Sequence, residues 1–271
     1  MDLVGRPSRR PPALLDGAGP ALCLCLSQAR TPDVVLIAAA AGFDAVYVDL
    51  EHGVTPLDIT SMLCTTALGS GLFPFVRVPS PDPALITRVL DGGARGVIVS
   101  HVETPEQASA AVDACRFPPH GRRTPYGFTP AVAYRPLPVP DLVATLDGEV
   151  LVVPMIESAA AVDRVDAIAA VDGVDLLLVG AHDLSVDLGE PGEVGHPLVR
   201  RAIVAVADAC AGHDRPWGVA GIADQRTLSC LADRGLAFIS AGSDVGLLQQ
   251  AAAARVSSLR DLASPRKDGT R

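Results

Sequence analysis

Four side chains stand where an apolar run gives way to a polar turn, or inside such a run: Glu157 after VLVVPMI, Asp183 after DLLLVGAH, Arg77 within FPFVRVP, and His52 closing AVYVDLEH. Two carboxylates without a thiolate or a histidine cluster suit a hard divalent cation such as Mg2+ or Mn2+. With two protein ligands, coordination positions stay open for water and substrate, which Lewis-acid catalysis requires. The same residues also suit a helix-start carboxylate at Glu157 and an N-cap at Asp183. Arg77 needs an anionic partner to be buried, in a structural salt bridge or in a site. His52 is a candidate base because imidazole titrates near neutrality. His101 and His182 qualify only as pocket-lining residues, and His120, His196 and His213 have no such placement.

The cations exclude other chemistries. Of 22 Lys and Arg residues, 21 are arginines, and Lys267 is alone in the last five residues. A Schiff base, with substrate or with pyridoxal phosphate, needs a lysine near the substrate, and a phosphate-binding P-loop needs one on the nucleotide. Neither can be built here, and no nucleotide site is expected. Residues 1–12 and 265–271 each carry +2, which leaves −13 of the net −9 on the body between them. That body is a poor partner for nucleic acid or an anionic membrane. The two tails read as disordered ends around one domain at 13–264. The six cysteines form no C-x-x-C pair and read as buried small hydrophobes, with Cys23 and Cys25 on one strand face. There is neither a signal-peptide apolar segment nor an 18-residue apolar stretch, so the sequence predicts a cytoplasmic protein.

The elements that must position these residues follow from hydrophobic period. Runs at 21–26, 45–49, 73–78, 96–100, 150–156, 175–180, 216–221 and 237–241 are almost continuously apolar, as strands covered on both faces must be. Between them lie helical segments near 31–41, 56–69, 82–92, 158–170, 197–211, 225–234 and 244–262, with one more opening at Thr104. Thr31-Pro32 and Gly42 bracket the first, and Thr104-Pro105-Glu106-Gln107 opens the Thr104 segment with a capping box. Strand then helix eight times predicts a (β/α)8 barrel, whose chemistry sits at the C-terminal ends of the strands. A segment at 115–148 with seven prolines interrupts the rhythm and reads as an active-site flap or an interface arm.

The residues in order resemble a known family. Gly42-Phe43-Asp44-Ala45-Val46-Tyr47-Val48-Asp49-Leu50-Glu51-His52 is similar to the G-F-D-x-x-x-x-D-x-E-H signature of the HpcH/HpaI aldolases, metal-dependent (class II) pyruvate aldolases. VRVPSPDP around Arg77, LDGGARGVIV at 90–99, F-P-P-x-G-x-R at 117–123, P-M-I-E at 154–157, VDGVDLLLVGAHDLSVDLG at 171–189 and G-H-P at 195–197 extend the match over about residues 20–250. The resemblance implies a barrel assembled as a hexamer of dimers that exchange a C-terminal helix. It implies a divalent metal (Mg2+, Mn2+ or Co2+) on Glu157 and Asp183, Arg77 on the pyruvate oxygen, and His52 as acid/base paired with Asp91. Asp49 and Glu51 would support, and Gly180-Ala181, with His182 beside them, would receive the substrate carboxylate. Two stretches depart from the family pattern: Gly180-Ala181-His182-Asp183-Leu184-Ser185 where many members have G-P-x-D-L-S, and Ser100-His101 where the fourth strand usually ends near P-M or P-x.

The expected activity is therefore making or cleaving the C–C bond of a 4-hydroxy-2-oxo acid through a pyruvate enolate, with small-molecule 2-oxo acid and aldehyde partners. The apolar and aromatic 115–148 segment suggests room for an acceptor larger than a sugar acid. One alternative is related enolate chemistry, such as decarboxylative condensation or citrate-synthase-like or citrate-lyase-β-like cleavage. Another is an inactive barrel acting as a binding subunit.

Overall fold

The computed structural model describes residues 14–15 and 19–263; the two expected tails, 1–12 and 265–271, lie outside the described residues. Eight parallel strands pair in chain order and close: β1 (Ala21–Leu26), β2 (Ala45–Asp49), β3 (Phe73–Val78), β4 (Gly96–Val99), β5 (Leu151–Ile156), β6 (Leu177–Gly180), β7 (Trp217–Ala220) and β8 (Leu236–Ser243), which returns to β1. Every residue of β2 to β7 is buried, which explains their continuous hydrophobicity: one face packs inside the barrel and the other against helices.

The helices are α1 (Asp33–Ala41), α2 (Leu57–Gly69), α3 (Pro83–Asp91), α4 (Pro105–Cys115), α5 (Val139–Glu149), α6 (Ala159–Val162), α7 (Val165–Ala169), α8 (Ala181–Asp187), α9 (Pro197–Gly212), α10 (Gln225–Ala232) and α11 (Asp244–Ala263). Thr104 makes the anticipated capping box with Gln107, and Gly42 ends α1 in the left-handed region at φ 90°. The single helix expected at 158–170 is two, broken where the Arg164 backbone leaves helical values. The short helix α8 follows β6 directly and is capped at Gly180, ahead of the start that an N-cap at Asp183 would give.

Two apolar shells hold the barrel. Inside it, Phe75 and Phe238 meet edge to face at 5.5 Å among Ile98, Leu151 and Leu178. Gly96 is required beside them, because a Cβ there would fall 2.1 Å from the Phe75 ring. Cys23 and Cys25 do share the inner face. The outer shell runs from Leu26 and Leu63 through Ile86 and Ile156 to Ile203, between strands and helices. Five of the six cysteines are buried, but Cys230 on α10 is exposed, against the sequence expectation.

The proline-rich segment belongs to the opposite end of the barrel from the strand C-termini. Arg95, just before β4, donates to the Ala131 carbonyl at 3.3 Å, and Pro130 packs on Gly93. Arg116 ties Asp147 and Asp175, which precede β5 and β6. An α-to-β connection lies at the N-terminal ends of the strands, so this segment does not cover its own barrel's mouth, and its last third is the helix α5. Of the two roles expected for it, the flap is excluded within one chain.

Asp244, at the start of α11, closes the barrel at the mouth end. Its carboxylate accepts from the Ser27 backbone and hydroxyl (3.1 and 2.9 Å), Gln28 (3.0 Å), Ala29 (2.7 Å) and Val245 (2.8 Å). Burial pushes its pKa up, but the Gln28 and Ser27 donors outweigh that and hold it below the usual carboxylate range. A lowered native pKa contributes stability that is present above the ordinary carboxylate pKa and lost as pH falls through the native value. Asp244→Ala is expected to cost about 1–3 kcal/mol near neutral pH. In urea titrations the gap to the parent should close in strong acid; a gap that widened there would contradict the assignment.

Candidate active site

The strand order carries Asp49, Arg77, Glu157 and Gly180 to one end of the barrel; the loops after β2 and β4 add Glu51, His52 and His101, and α8 after β6 adds His182 and Asp183. Arg77 is the centre of the group. It is paired across the β2–β3 ladder with Asp49, and the register brings both side chains to the inner face. Nε reaches Asp49 Oδ1 at 3.0 Å, Nη2 reaches Oδ2 at 2.7 Å, and Nη1 lies 2.9 Å from Glu51 Oε2. The guanidinium also sits over the Tyr47 ring, 5.7 Å from its centroid.

These contacts set the charge states. Burial alone would raise the Asp49 pKa, but the Arg77 hydrogen bonds and charge win and hold it below the usual range. Burial likewise opposes the Arg77 charge, and Asp49 overcomes it, so the guanidinium stays charged throughout the working range. Asp49 Oδ1 also accepts from the backbone N–H groups of Glu51 (3.0 Å) and His52 (3.3 Å). One carboxylate thus fixes both the arginine and the turn that carries His52. The His52 ring is largely exposed, lines the cavity and lies 3.7 Å from Glu51 Oε2.

Glu157 ends β5 in a buried position. Its Oε1 accepts from the His101 backbone at 2.6 Å, and its Oε2 has no partner. Burial pushes its pKa up; the His101 N–H pulls it back, while Glu51 and Asp183 add to the rise. Gly180 leaves the space beside that free oxygen open, since a Cβ there would stand 2.8 Å from Oε2. Asp183 is in the first turn of α8, with Gly180 rather than Asp183 as its cap.

Four carboxylates and one guanidinium converge here; the buried Glu157 Oε2 lacks a hydrogen-bond partner, and Glu51 Oε1 has only the His101 ring, at 2.7 Å. That excess of negative charge and unused lone pairs fits a divalent cation. Among the described residues, one His/Asp/Glu group has metal-binding spacing: Glu51, His101 and Glu157, with one ligand atom of each within 4.8 Å of the others. Asp183 is near enough to act on Glu157 through its charge but falls outside that group. The adjoining cavity, about 770 Å³, is lined by Tyr47, His52, Arg77, Gly180, Ala181, His182 and Asp183, among others.

Asp91 is not brought to this site. It ends α3, which runs back from the mouth, and its carboxylate pairs with Arg123 at 2.9 Å. Within one chain the carboxylate beside His52 is Glu51. Ser100, whose hydroxyl donates to Glu51 Oε2 at 2.7 Å, and the depth to which His101 enters the cluster were marked in the sequence only by a strand-end position and a departure from the family pattern.

Known proteins share this arrangement of elements. The profile described as HpcH/HpaI aldolase/citrate lyase matches residues 23–251. The chain is 43% identical over 221 residues to the 4-hydroxy-4-methyl-2-oxoglutarate aldolase tasA of Hapsidospora irregularis, covering 80% of this chain and 82% of that one. It is 34% identical over 230 residues to the 5-keto-4-deoxy-D-glucarate aldolase of Salmonella arizonae, covering 83% and 87%. The crystal structure of an HpcH/HpaI aldolase from Desulfitobacterium hafniense superposes with a TM-score of 0.86 at 30% identity, over 91% of this chain and 95% of that one.

Removing one member of a buried ion pair strands the other. Asp49→Ala leaves Arg77 with Glu51 alone and should destabilise the fold by about 3 kcal/mol, read from the denaturation midpoint. A loss below about 1 kcal/mol, the range of surface pairs, would mean that Glu51 alone satisfies the arginine.

Proposed function

The chain belongs to the HpcH/HpaI aldolase/citrate lyase family and is a carbon–carbon lyase of aldolase type; from that premise we propose that it makes or cleaves the C3–C4 bond of a 4-hydroxy-2-oxo acid through a pyruvate enolate. The observation that carries this reading is the partnerless Glu157 oxygen at an open glycine, beside Asp183 and across from a permanently charged Arg77.

Glu157 and Asp183 are the carboxylates that would hold a divalent metal, Mg2+, Mn2+ or Co2+. When bound, such an ion withdraws charge from the keto oxygen of a 2-oxo acid and makes the adjacent carbon acidic. Arg77 has five N–H donors, of which three point at Asp49 and Glu51, so two remain for the substrate's oxygen. Because Asp49 and Glu51 hold it rigidly, it needs no reorganisation as negative charge develops. Gly180 and Ala181, with His182, line the wall that would receive the substrate carboxylate.

In the cleavage direction His52 takes the proton of the C4 hydroxyl. The C3–C4 electron pair passes into the 2-oxo acid as its enolate, C4 leaves as the carbonyl product, and C3 is then protonated to give pyruvate. His52 would be oriented by the Asp49-pinned turn and by Glu51, since Asp91 is out of reach in the same chain.

The outer surface of α11 supports assembly into a homo-oligomer. Val245, Leu248, Val256 and Leu259 are exposed on that helix, and Leu22 on β1 is left partly uncovered. A second copy of the chain would cover both. No helix among the described residues is long and apolar enough to cross a membrane.

Metal-stripped protein should lose pyruvate release from 4-hydroxy-2-oxo acids and regain it with Mg2+, Mn2+ or Co2+. Activity that survives chelation, or the double change Glu157→Ala with Asp183→Ala, sinks the metal reading. Deuterium exchange into pyruvate separates the other roles: Arg77→Ala should lower exchange on the order of 10²-fold. His52→Ala should keep exchange and lose C–C cleavage, and intact cleavage would remove His52 as the base.

A further inference from the structure

The end of β4 holds an arrangement that the two-carboxylate reading leaves unused. His101 is a non-glycine residue in the left-handed region, at φ 56°, a conformation that costs free energy and persists only where surroundings enforce it. Its backbone N–H is tied to Glu157, and its ring is held between two buried carboxylates. Nε2 lies 2.7 Å from Glu51 Oε1 and Nδ1 lies 3.0 Å from Glu157 Oε1. Apart from that ring nitrogen Glu51 Oε1 has no partner, and Glu157 Oε2 has none. One ligand atom from each of Glu51, His101 and Glu157 lies within 4.8 Å of the others, the spacing that a shared cation requires.

The supports around the ring are rigid. Glu51, itself buried, is fixed by Arg77 at 2.9 Å and by Ser100 at 2.7 Å, both through Oε2, which leaves Oε1 facing His101. Ser100 and His101, where the sequence departs from its family's pattern, therefore act on the same carboxylate. A histidine that binds a metal through one nitrogen is ordinarily oriented by a carboxylate on the other, and Glu51 and Glu157 flank the ring in that way.

We propose that His101 supplies a nitrogen ligand to the divalent ion at this site, beside Glu157 and next to Glu51, so that the site favours ions that accept imidazole, such as Co2+ or Zn2+, over Mg2+. Imidazole suits those ions, whereas Mg2+ takes oxygen donors and water. The proposal rests on the reading of Glu157 as a metal-binding carboxylate and adds a third, selective donor to it.

The test is calorimetric titration of metal-stripped full-length protein with Co2+ and with Mg2+, on the parent and on His101→Gly, which accepts the left-handed backbone and removes the ring. Co2+ affinity should fall about tenfold or more and Mg2+ affinity by no more than about threefold. The change in their ratio is diagnostic, because Co2+ binds most sites tightly whatever their donors. The visible spectrum of the Co2+-loaded protein should shift with the substitution. In the parent, the 15N resonances of the His101 ring should move on adding Zn2+. Unchanged Co2+ affinity and spectrum in His101→Gly, with Co2+ binding lost in Glu157→Ala, would overturn the nitrogen ligand and spare the carboxylate. Absence of any divalent binding in the parent would overturn both.

Discussion

The site depends on a single buried ion pair between Arg77 and Asp49 on adjacent strands, completed by Glu51. A guanidinium inside a barrel is tolerable only if its donors are met, and here Asp49 meets two of them in parallel. The same carboxylate accepts the backbone of Glu51 and His52, so the turn after β2 is held by the group that holds the arginine. The arginine's remaining donors, the position of Glu51 and the placement of His52 are consequences of one contact. A barrel lacking Asp49 would retain its strands and lose the geometry of its mouth.

The second constraint is electrostatic excess. Asp49 and Glu51 are largely spent on Arg77, but Glu157 and Asp183 are not, and burial at Glu157 has no cation within one hydrogen bond of its free oxygen. Glycine at position 180 keeps that oxygen accessible. The composition bears on this: the lone lysine is Lys267, within the last five residues of the sequence, so the proposed reaction leaves its carbanion charge to a fixed cation or a bound ion rather than to an iminium. The ion pair and the free carboxylates then divide the work. In the proposed reaction Arg77 would be the permanent charge, and Glu157 with Asp183 the place for an exchangeable one.

Much of this was readable in sequence because it follows from local rules. Continuous apolar runs alternating with capped helical segments dictate strands buried on both faces, and Thr104 with Gln107 marks a helix start by a hydrogen-bonding pattern that needs no tertiary context. An arginine flanked by Phe and Val demands anionic partners wherever it lies. Two placements within one chain differ from the expectation, for equally definite reasons. Asp91 lies in the matching LDGGAR motif, yet a helix that follows a strand runs backwards, so its C-terminus is delivered to the far end of its own barrel. The proline-rich segment looked like a flap because of its length and aromatics. Its chain position, after a helix and before a strand, sends it to the same far end.

What the sequence by itself determined is the class of fold and the list of side chains at the strand ends, because strand ends are encoded by composition along a short stretch. Which of those side chains meet was decided only by closure of the barrel. Closure sets Arg77 level with Asp49 across one ladder, and it turns the β4 exit so that His101 enters between Glu51 and Glu157. These contacts span 28 and 56 residues of chain in the Arg77–Asp49 and His101–Glu157 pairs. No local propensity carries information over that distance; the shared curvature of eight hydrogen-bonded strands does.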